Sequence, residues 1–458
     1  MSVQRHTEGE SNTSPAGQQW RAREPDDPGR GLLQRDADAF LHQSLSTPCL
    51  STIARAEGIW IEDLAGRRYM DFHGNSVHHI GYGHPRLIAA IKAQLDTLSF
   101  APRRFTNEVS VELAEKLGSI APGALSRVLF TTGGSDANEV ALRLARAATG
   151  RFKTISFWDA FHGAGFGASS VGGEATFRSH VAGPLLPGAE HVAPFNCYHC
   201  AYGHPGPEAC ALACARMVEF ALEREGDVAA VIAEPMRAVP VVPPAGYWQA
   251  VQAACHRHGA LLIMDEIPTG LGKTGRFFAF EHDGITPDIV TLGKALGGGV
   301  LPIAAVLARD DLNVVGDFAI GHYTHEKNPV TARAALTTMQ IIEEEGLVER
   351  AEHLGVHALD RLREALRDCP IVGDIRGRGL MFGVEIVSDR EARKAAPELA
   401  ERIFYACLDQ GLSFKISAGN VLTLSPPLTI DVADLDRALG IVENTIRALA
   451  CELESGAG

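Results

Sequence analysis

The chain has 458 residues, 46% of them hydrophobic and 21% charged, which is enough to bury a large core and to form two domains. Its formal net charge of -14 argues against nucleic acid and anionic membranes as partners. Because no apolar run is long enough for a transmembrane span or a signal peptide, and because nine cysteines are too few for a disulfide scaffold, we expect a cytoplasmic protein.

The first 84 residues divide into a polar and an apolar part. Residues 1–31 are polar and predict a disordered arm, whereas 32–84 are assigned to the N-terminal part of a small domain. Gly58–Asp63 and Tyr69–Phe72 flank a turn and predict a hairpin. The stretch Phe72–Pro85, FHGNSVHHIGYGHP, has no clear periodicity and is either a functional loop or a plain irregular connection.

Between residues 85 and 330, short apolar strands alternate with helical stretches, and this alternation predicts a large domain with a parallel sheet covered by helices. Helical spacing is clear at Pro85–Leu98 and Val109–Ile120. The loop between these helices carries Arg103 and Arg104, a basic pair of the kind usually found on solvated surfaces.

Three strand ends in this block carry candidate side chains. A strand at Val128–Phe130 leads through Gly134 and Ser135 into a helix, where backbone N–H groups could bind a phosphate, although a turn with an N-cap gives the same pattern. Another strand leads to Phe161-His162-Gly163, where an aromatic ring either covers a flat cofactor or packs in the core. A third ends in Glu234-Pro235.

The most informative stretch runs from Ala260 to Gly299. Its two short apolar strands end in charged residues, with Asp265 and Glu266 after the first and Lys294 after the second. Ligands of open α/β sheets bind at the carboxyl ends of strands, so these side chains should meet at one edge. Pyridoxal phosphate needs a lysine for its Schiff base and an acid at its pyridine nitrogen, and a buried ion pair is the alternative.

Four cysteines interrupt the large domain. Cys197 and Cys200 are followed by Cys210 and Cys214, and two close pairs at this spacing could hold zinc. The second pair is predicted in a helix at positions i and i+4, where cysteine also serves as a small apolar residue. We assign no metal site. Residues 331–458 contain helices and strands outside the alternating block, which predicts the C-terminal part of a small α+β domain.

These motifs, taken in order, resemble the class III aminotransferase family of pyridoxal-phosphate enzymes over nearly the whole chain after Leu41. The resemblance implies an α/β fold: an aspartate-aminotransferase-like, fold type I large domain with a mainly parallel sheet, and a smaller α+β domain from both chain ends. It also implies a homodimer in which the partner subunit's Thr324 reaches the cofactor phosphate. The matching elements are Gly134-Ser135, Phe161-His162-Gly163, Glu234-Pro235, Asp265 to Gly270, Lys294, and Thr324 with Asn328-Pro329.

The resemblance also assigns roles residue by residue. Lys294 would form the Schiff base with pyridoxal phosphate and move the substrate proton, and Asp265 would bind the pyridine nitrogen. The remaining cofactor-binding residues would sandwich the ring, hold the phosphate or line the site: Ile267, Phe161, Gly134, Ser135, Thr324 from the partner subunit, His162 and Glu234.

Two positions depart from the family pattern. Pro268 replaces a Gln that reaches the cofactor's phenolic oxygen, and Thr423 replaces an Arg that grips the keto acid carboxylate in many transaminases. Arg103, Arg104 and Arg237 are the candidates to bind a substrate anion instead.

Three whole stretches, His42–Cys49, Phe72–Pro85 and Tyr323–Pro329, look most like the branch of ammonia-lyases that act on (R)-1-hydroxy-2-aminoethylphosphonate. We therefore predict an ammonia-lyase that releases phosphonoacetaldehyde, with His78, His79 or His325 as candidates to protonate the leaving hydroxyl. An ω-amine:α-keto acid transaminase is the alternative. A cofactor-free binding protein of the same fold is a third hypothesis, which an otherwise unused buried lysine argues against.

Overall fold

A computed structural model describes residues 14–23, 26–43, 46–178 and 183–456. The chain forms two compact units. Of the described residues, the larger unit contains those within 75–79 and 85–351, and the smaller unit contains those before Asn75, Ile80–His84 and those from Glu352 onward.

The helices and strands that the sequence predicts are present, with differences at their ends, and the structure contains further helices and strands that were not predicted. The helices are α1 Pro15–Ala22, α2 Arg30–Ala39, α3 Pro85–Thr97, α4 Glu108–Ile120, α5 Gly134–Thr149, α6 Phe166–Val171, α7 Ala175–Arg178, α8 Ala213–Glu225, α9 Tyr247–His258, α10 Pro329–Glu344, α11 Leu347–Ala365, α12 Pro397–Asp409 and α13 Val432–Glu454. The strands are β1 Arg55–Glu57, β2 Trp60–Glu62, β3 Arg68–Asp71, β4 Leu125–Thr131, β5 Lys153–Phe157, β6 Ala189–Val192, β7 Val228–Ala233, β8 Leu261–Asp265, β9 Ile289–Leu292, β10 Ala304–Arg309, β11 Val372–Arg378, β12 Met381–Asp389, β13 Lys394–Ala395, β14 Leu412–Ser413, β15 Lys415–Ser417 and β16 Val421–Leu424.

The larger unit is built on a seven-stranded sheet in the order β4-β10-β9-β8-β7-β5-β6. Neighbouring strands from β9 through β6 run parallel, and β10 is antiparallel to both of its neighbours. The central strands β7, β8 and β9 are buried at every position, as expected for strands covered on both faces. Small residues of α5, including Ala137, Ala141 and Ala145, pack against this sheet. The α/β prediction, with a mainly parallel sheet, is confirmed.

The smaller unit combines both ends of the chain. Strands β1, β2 and β3 from the N-terminal part form an antiparallel ladder, which β14 from the C-terminal part extends by pairing with β3 in parallel. A second sheet has the order β11-β12-β16-β15, with β13 on β12. One face of helix α13 is buried, and the residues on it include Leu435, Leu439 and Val442. This is the α+β architecture that the sequence predicts.

Two boundaries differ from the sequence prediction. Helix α10 belongs to the larger unit, so the division falls after Ala351 instead of after residue 330. The reason is that most of α10 is buried, and it packs against α3 and α4. The predicted arm, 1–31, contains helix α1, which Ser14 caps and which Trp20 anchors by donating to Asp409 Oδ1 at 2.8 Å. Residues 1–13 lie outside the described part of the chain.

Candidate active site

Asp265 is the last residue of β8, and it is only 2% exposed. Its Oδ2 accepts hydrogen bonds from Asn138 Nδ2 and from His162 Nδ1, both at 2.8 Å. Its Oδ1 accepts from the Ile267 backbone N–H at 3.1 Å and lies 3.4 Å from Thr291 Oγ1. The three hydrogen bonds donated by Asn138, His162 and the Ile267 N–H fix the orientation of the Asp265 carboxylate.

Asn138 and Thr291 are part of this arrangement, although the sequence did not single them out. Asn138 also donates to the His162 carbonyl at 2.8 Å, and Thr291 donates to Asn138 Oδ1 at 2.9 Å. Both side chains are fully buried. The sequence does contain a signal for both residues. Asn138 is a polar residue on the apolar face of α5, and Thr291 is a polar residue inside the apolar strand β9. Because buried polar groups need hydrogen-bond partners, such residues indicate a buried polar contact.

Lys294 lies at the neighbouring strand end. Asp265 is paired in register with Thr291 of β9, three residues before Lys294, so the parallel strands bring both residues to one sheet edge. Lys294 begins a short 3-10 helix, Lys294–Gly297, and has a left-handed backbone with φ of 47°. A non-glycine residue in this conformation is strained, and such strain concentrates at functional sites.

Ile267 links these strand ends to the start of α5. A Cβ added at Gly134 would lie 2.7 Å from Ile267 Cδ1, and one added at Gly293, next to Lys294, would lie 3.4 Å from Ile267 Cγ2. A larger residue at position 134 would therefore force the Ile267 side chain to move. The three motifs that carry Gly134, Asp265 and Lys294 converge around one isoleucine side chain.

The first turn of α5 offers backbone N–H groups to a ligand. The N-cap is Gly133, and no side chain from the described part of the chain caps this helix. Ser135 Oγ accepts from the Ala164 N–H at 3.1 Å, which holds the loop after His162 over the helix start. A sixteen-residue helix with an open N-terminus favours an anion at this point.

The remaining candidates from the sequence, Phe161, His162 and Glu234, differ in burial and in the groups that they contact. Phe161 is partly exposed and packs on Phe177, with ring centroids 4.4 Å apart. His162 contacts Asp265 directly, and its Nε2 is buried without a hydrogen-bond partner among the described residues. Glu234 is 7% exposed, and its Oε2 accepts from the Ala238 N–H at 2.8 Å.

The basic candidates separate into two groups. Arg237 is partly buried and donates to the Asp159 carbonyl. Arg103 and Arg104 are exposed, and the Arg103 guanidinium contacts His322, two residues before the exposed Thr324. Arg103 and Thr324 therefore belong to neighbouring loops on the surface of the larger unit.

Two ionisable residues, one acidic and one basic, are buried near the end of the Asp265 strand. Burial raises the pKa of Glu266 to about 8, although its oxygens accept hydrogen bonds from Thr269 Oγ1 at 2.6 Å and the Phe280 N–H at 3.0 Å. Burial also lowers the pKa of Lys273, which is 0% exposed, to about 7.

The cysteine pattern differs from its prediction. Cys210 lies before α8 and not inside it, because Ala211 and Leu212 adopt left-handed backbone conformations that a helix cannot contain. None of the nine cysteines, all of which lie in the described ranges, forms a disulfide bond. Across the described ranges, no group of three or more His, Cys, Asp or Glu side chains is arranged to hold a metal ion.

Comparison with known proteins identifies the family. A family model described as Aminotransferase class-III matches residues 42–446. The chain belongs to the class-III aminotransferase family. It is therefore a pyridoxal phosphate-dependent enzyme with the fold that the sequence predicted.

Relatives of this class-III enzyme differ in the reactions they catalyse. An (R)-1-hydroxy-2-aminoethylphosphonate ammonia-lyase of Vibrio splendidus is 44% identical across 98% of this chain and 96% of its own length. A leucine/methionine racemase of Thermococcus litoralis is 37% identical over 91% of this chain and 95% of its own. The crystal structure of an amine transaminase from an uncultivated Pseudomonas species, in its pyridoxal phosphate-bound form, superposes with a TM-score of 0.84 at 31% identity, covering 90% of this chain and 98% of that one.

The residues present in this class-III enzyme fit the cofactor. An oriented, buried carboxylate suits a protonated pyridine nitrogen, an open helix N-terminus suits a phosphate, and a lysine follows the adjacent strand. In the part of the chain that the structure describes, no helix is both long and apolar enough to cross a membrane.

Proposed function

We propose that this enzyme is an ammonia-lyase for a small anionic β-hydroxy amine, with (R)-1-hydroxy-2-aminoethylphosphonate as substrate and phosphonoacetaldehyde and ammonia as products. The observation that carries the proposal is the 44% identity to such a lyase over 98% of the chain. The predicted resemblance of three separate loops to the same branch supports it.

Lys294 and Asp265 would be the two residues that take part directly in the chemistry. When bound, pyridoxal phosphate stabilises negative charge on the carbon that bears the substrate amine. Lys294 would take the proton from that carbon, and the hydroxyl on the next carbon would leave with a proton as water. Hydrolysis of the remaining C=N bond consumes one water and releases aldehyde and ammonia, so no external oxidant or reductant is needed. Asp265 would hold the pyridine nitrogen.

The rest of the cofactor would be held by residues of the same sheet edge. Gly134 and Ser135 would bind the phosphate, Ile267 and Phe161 would contact the two faces of the ring, and His162 would act through Asp265. Glu234 would lie beside the site.

A transaminase is the second candidate, because many solved structures of similar fold are transaminases. A transaminase needs a cation for the keto acid carboxylate. At the family's arginine position, Thr423 is 5% exposed and donates to Ser417 Oγ at 2.9 Å, so this position supplies a neutral, internally bonded hydroxyl. This argues for the lyase.

We also propose a homodimer in the cytoplasm, in which the partner subunit's Thr324 contacts the cofactor phosphate. Nine cysteines without a disulfide bond suit a reducing compartment. Because Arg103 contacts His322 in the Thr324 loop, Arg103 would act on the same opposite site as the partner subunit's Thr324, whereas Arg237 would act within its own subunit. Arg104 would share the Arg103 surface.

Single alanine variants at Arg103, Arg104 and Arg237 identify the phosphonate-binding group. We expect replacement of the residue that pairs with the anion to lower kcat/KM for the phosphonate amine by about 30- to 4000-fold, because a charge pair of this kind contributes roughly 2–5 kcal/mol. An uncharged amino alcohol should show no such loss. An equal loss for both amines would contradict a role in anion binding.

The reaction itself is tested with the phosphonate amine and no keto acid. We expect many turnovers of ammonia and aldehyde per enzyme, and none from Lys294→Ala. A single turnover that becomes catalytic only when pyruvate or 2-oxoglutarate is added would overturn the lyase and establish the transaminase.

A further inference from the structure

A partly buried arginine that the sequence did not single out, Arg178, lies at the same sheet edge as Asp265. It is the last residue of α7, and the residue before it, Phe177, packs on Phe161 with ring centroids 4.4 Å apart. The Arg178 guanidinium lies over the ring of Trp158, the residue that follows β5, at 5.2 Å from the ring centroid. Because β5 runs parallel to β7, and β7 to β8, the end of β5 faces the same way as the strand end that carries Asp265.

One nitrogen of the Arg178 guanidinium is held in place, and the other two are open. Nη1 donates to the Gly172 carbonyl at 2.6 Å and lies 2.6 Å from His191 Nε2. The N–H groups of Nε and Nη2 lie on the opposite edge of the guanidinium and have no partner among the described residues. Two parallel N–H groups on one edge are the fork with which arginine binds two oxygens of a phosphonate or a carboxylate.

The charge of Arg178 also lacks an acidic partner. Within the described ranges, no carboxylate forms an ion pair with its guanidinium, although the chain has 56 Asp and Glu residues against 42 Lys and Arg. Burial lowers the pKa of Arg178, as expected where a cation loses solvent and gains no anion. An anion supplied from solution would restore the missing interaction.

Arg237 brings a second positive charge to the same place. It lies four residues after the end of β7, and its guanidinium donates to the carbonyl of Asp159, the residue after Trp158. Its backbone is fixed by two hydrogen bonds with Val241, with N–O distances of 3.1 and 3.4 Å. In the part of the chain that the structure describes, Arg237 has no carboxylate partner either. The two guanidiniums therefore contact consecutive residues at the end of β5, and two like charges at one point favour a ligand with more than one negative charge.

We propose that Arg178 and Arg237 form the anion subsite of this enzyme, in which Nε and Nη2 of Arg178 donate to two phosphonate oxygens and Arg237 adds a second positive charge. The inference rests on the proposed function for its substrate. It selects Arg237 from the three arginine candidates and adds Arg178 to it. In the proposed substrate the phosphorus is two bonds from the carbon that bears the amine, so the phosphonate must bind beside the cofactor. The subsite adjoins Phe161, which would contact the cofactor ring.

Three variants separate charge, geometry and general packing. Arg178→Gln removes both the charge and the fork, whereas Arg178→Lys keeps the charge and loses the fork. Arg151→Gln is the matched control. Arg151 is also partly buried and also donates to backbone carbonyls, including that of His258 at 2.7 Å, but it lies before β5, at the opposite end of that strand.

The measurement is a titration of the absorbance of the enzyme-bound cofactor with two amines. One is 2-aminoethylphosphonate, which has the amine and the anion but no hydroxyl that can leave, and the other is propylamine, which has no anion. Arg178→Gln should raise the Kd for 2-aminoethylphosphonate about 10- to 100-fold, as expected for hydrogen bonds to a charged group, and Arg178→Lys about 3- to 10-fold. Arg151→Gln should keep the wild-type Kd, and the Kd for propylamine should stay within about twofold in all three variants.

An unchanged Kd for 2-aminoethylphosphonate in Arg178→Gln would overturn the subsite, and so would an equal loss of affinity for both amines. If Arg178→Gln does not retain the cofactor, Arg178→Lys decides by the same criterion: a loss confined to the phosphonate supports the subsite, and any other result overturns it. A selective loss in an enzyme that turns over only with a keto acid would retain the subsite and reject the lyase. Ammonia release without a keto acid, together with wild-type affinity in Arg178→Gln, would retain the lyase and reject the subsite.

Discussion

Asp265 and Glu266 are consecutive carboxylates at the end of one strand, yet their surroundings give them different chemistry. Both oxygens of Asp265 accept hydrogen bonds, Oδ2 from the side chains of Asn138 and His162 and Oδ1 from the backbone N–H of Ile267. Glu266 has two donors, and burial raises its pKa to about 8.

The difference shows that the number and direction of donors decide which acid can act. The donors around Asp265 fix the direction of its carboxylate, which is the group that can hold a protonated pyridine nitrogen. Glu266 is mainly protonated at pH 7, so it provides a neutral hydrogen-bonding group between Thr269 and Phe280. We infer that Asp265 serves the cofactor and Glu266 serves the local fold.

The largest expected effect comes from replacing each acid by its amide. Asp265→Asn should lower kcat by about 10²- to 10⁴-fold, because the amide cannot keep a pyridine nitrogen protonated. Glu266→Gln should stay within about threefold of wild type at pH 7, because it replaces a carboxyl that is already neutral. Steady-state kinetics of the two variants, each with pyridoxal phosphate content measured, provide the comparison.

Equal losses in both variants would contradict the separation of roles. Similar cofactor content in Asp265→Asn and wild type would show that the loss lies in the chemistry. A variant without bound cofactor would instead indicate that Asp265 acts in binding.

Much of the larger unit could be predicted from the sequence because its signals are local. A short apolar strand that ends in Asp265, and another followed by Lys294, are visible as patterns of a few residues. A glycine pair at the start of a helix, Gly133 and Gly134, is another local pattern. The close approach of Gly134 to Ile267 could not be predicted from it. The order of these elements was sufficient to identify the fold.

The contacts around Asp265 could not be predicted in the same way. Asn138 and Thr291 are 127 and 26 residues away from it in the sequence, and only the folded sheet brings them together. Likewise, burial of α10 decides the boundary near Ala351, and two left-handed residues before α8 remove Cys210 from the helix. These outcomes depend on tertiary packing and backbone strain, which no local pattern encodes.

A second prediction uses the dependence of stability on pH. Glu266 has a folded-state pKa of about 8 against an ordinary 4.5, so the stability it contributes is lost as the pH rises from about 4.5 to 8. Lys273 has a pKa of about 7 against 10.5, so its contribution to stability is regained as the pH rises from about 7 to 10.5. The summed contribution of these two groups to the free energy of unfolding should therefore be smallest between about pH 7 and 8.

Urea unfolding of the holoenzyme between pH 5 and 10 measures both contributions. Relative to wild type, Glu266→Gln should gain a few kcal/mol in its free energy of unfolding as the pH rises from 5 to 8. Relative to wild type, Lys273→Met should fall by a similar amount in its free energy of unfolding as the pH rises from 7 to 10, because only wild type gains stability over that range. Parallel curves for wild type and both variants would mean that neither group changes protonation on unfolding, and the contrast with Asp265 would then lose its electrostatic basis.

The smallest effect concerns one donor to Asp265. His162→Asn can keep a side-chain N–H near the position of Nδ1, whereas His162→Leu removes it, and Asn138 still holds the same Oδ2 in both variants. We therefore expect His162→Leu to lower kcat only about tenfold, as for a single hydrogen bond to a charged group, and His162→Asn to recover most of that loss. If both variants were as inactive as Asp265→Asn, His162 would have to contact the cofactor or the substrate itself. If both were fully active, Asn138 and the Ile267 N–H alone would be enough to orient the carboxylate.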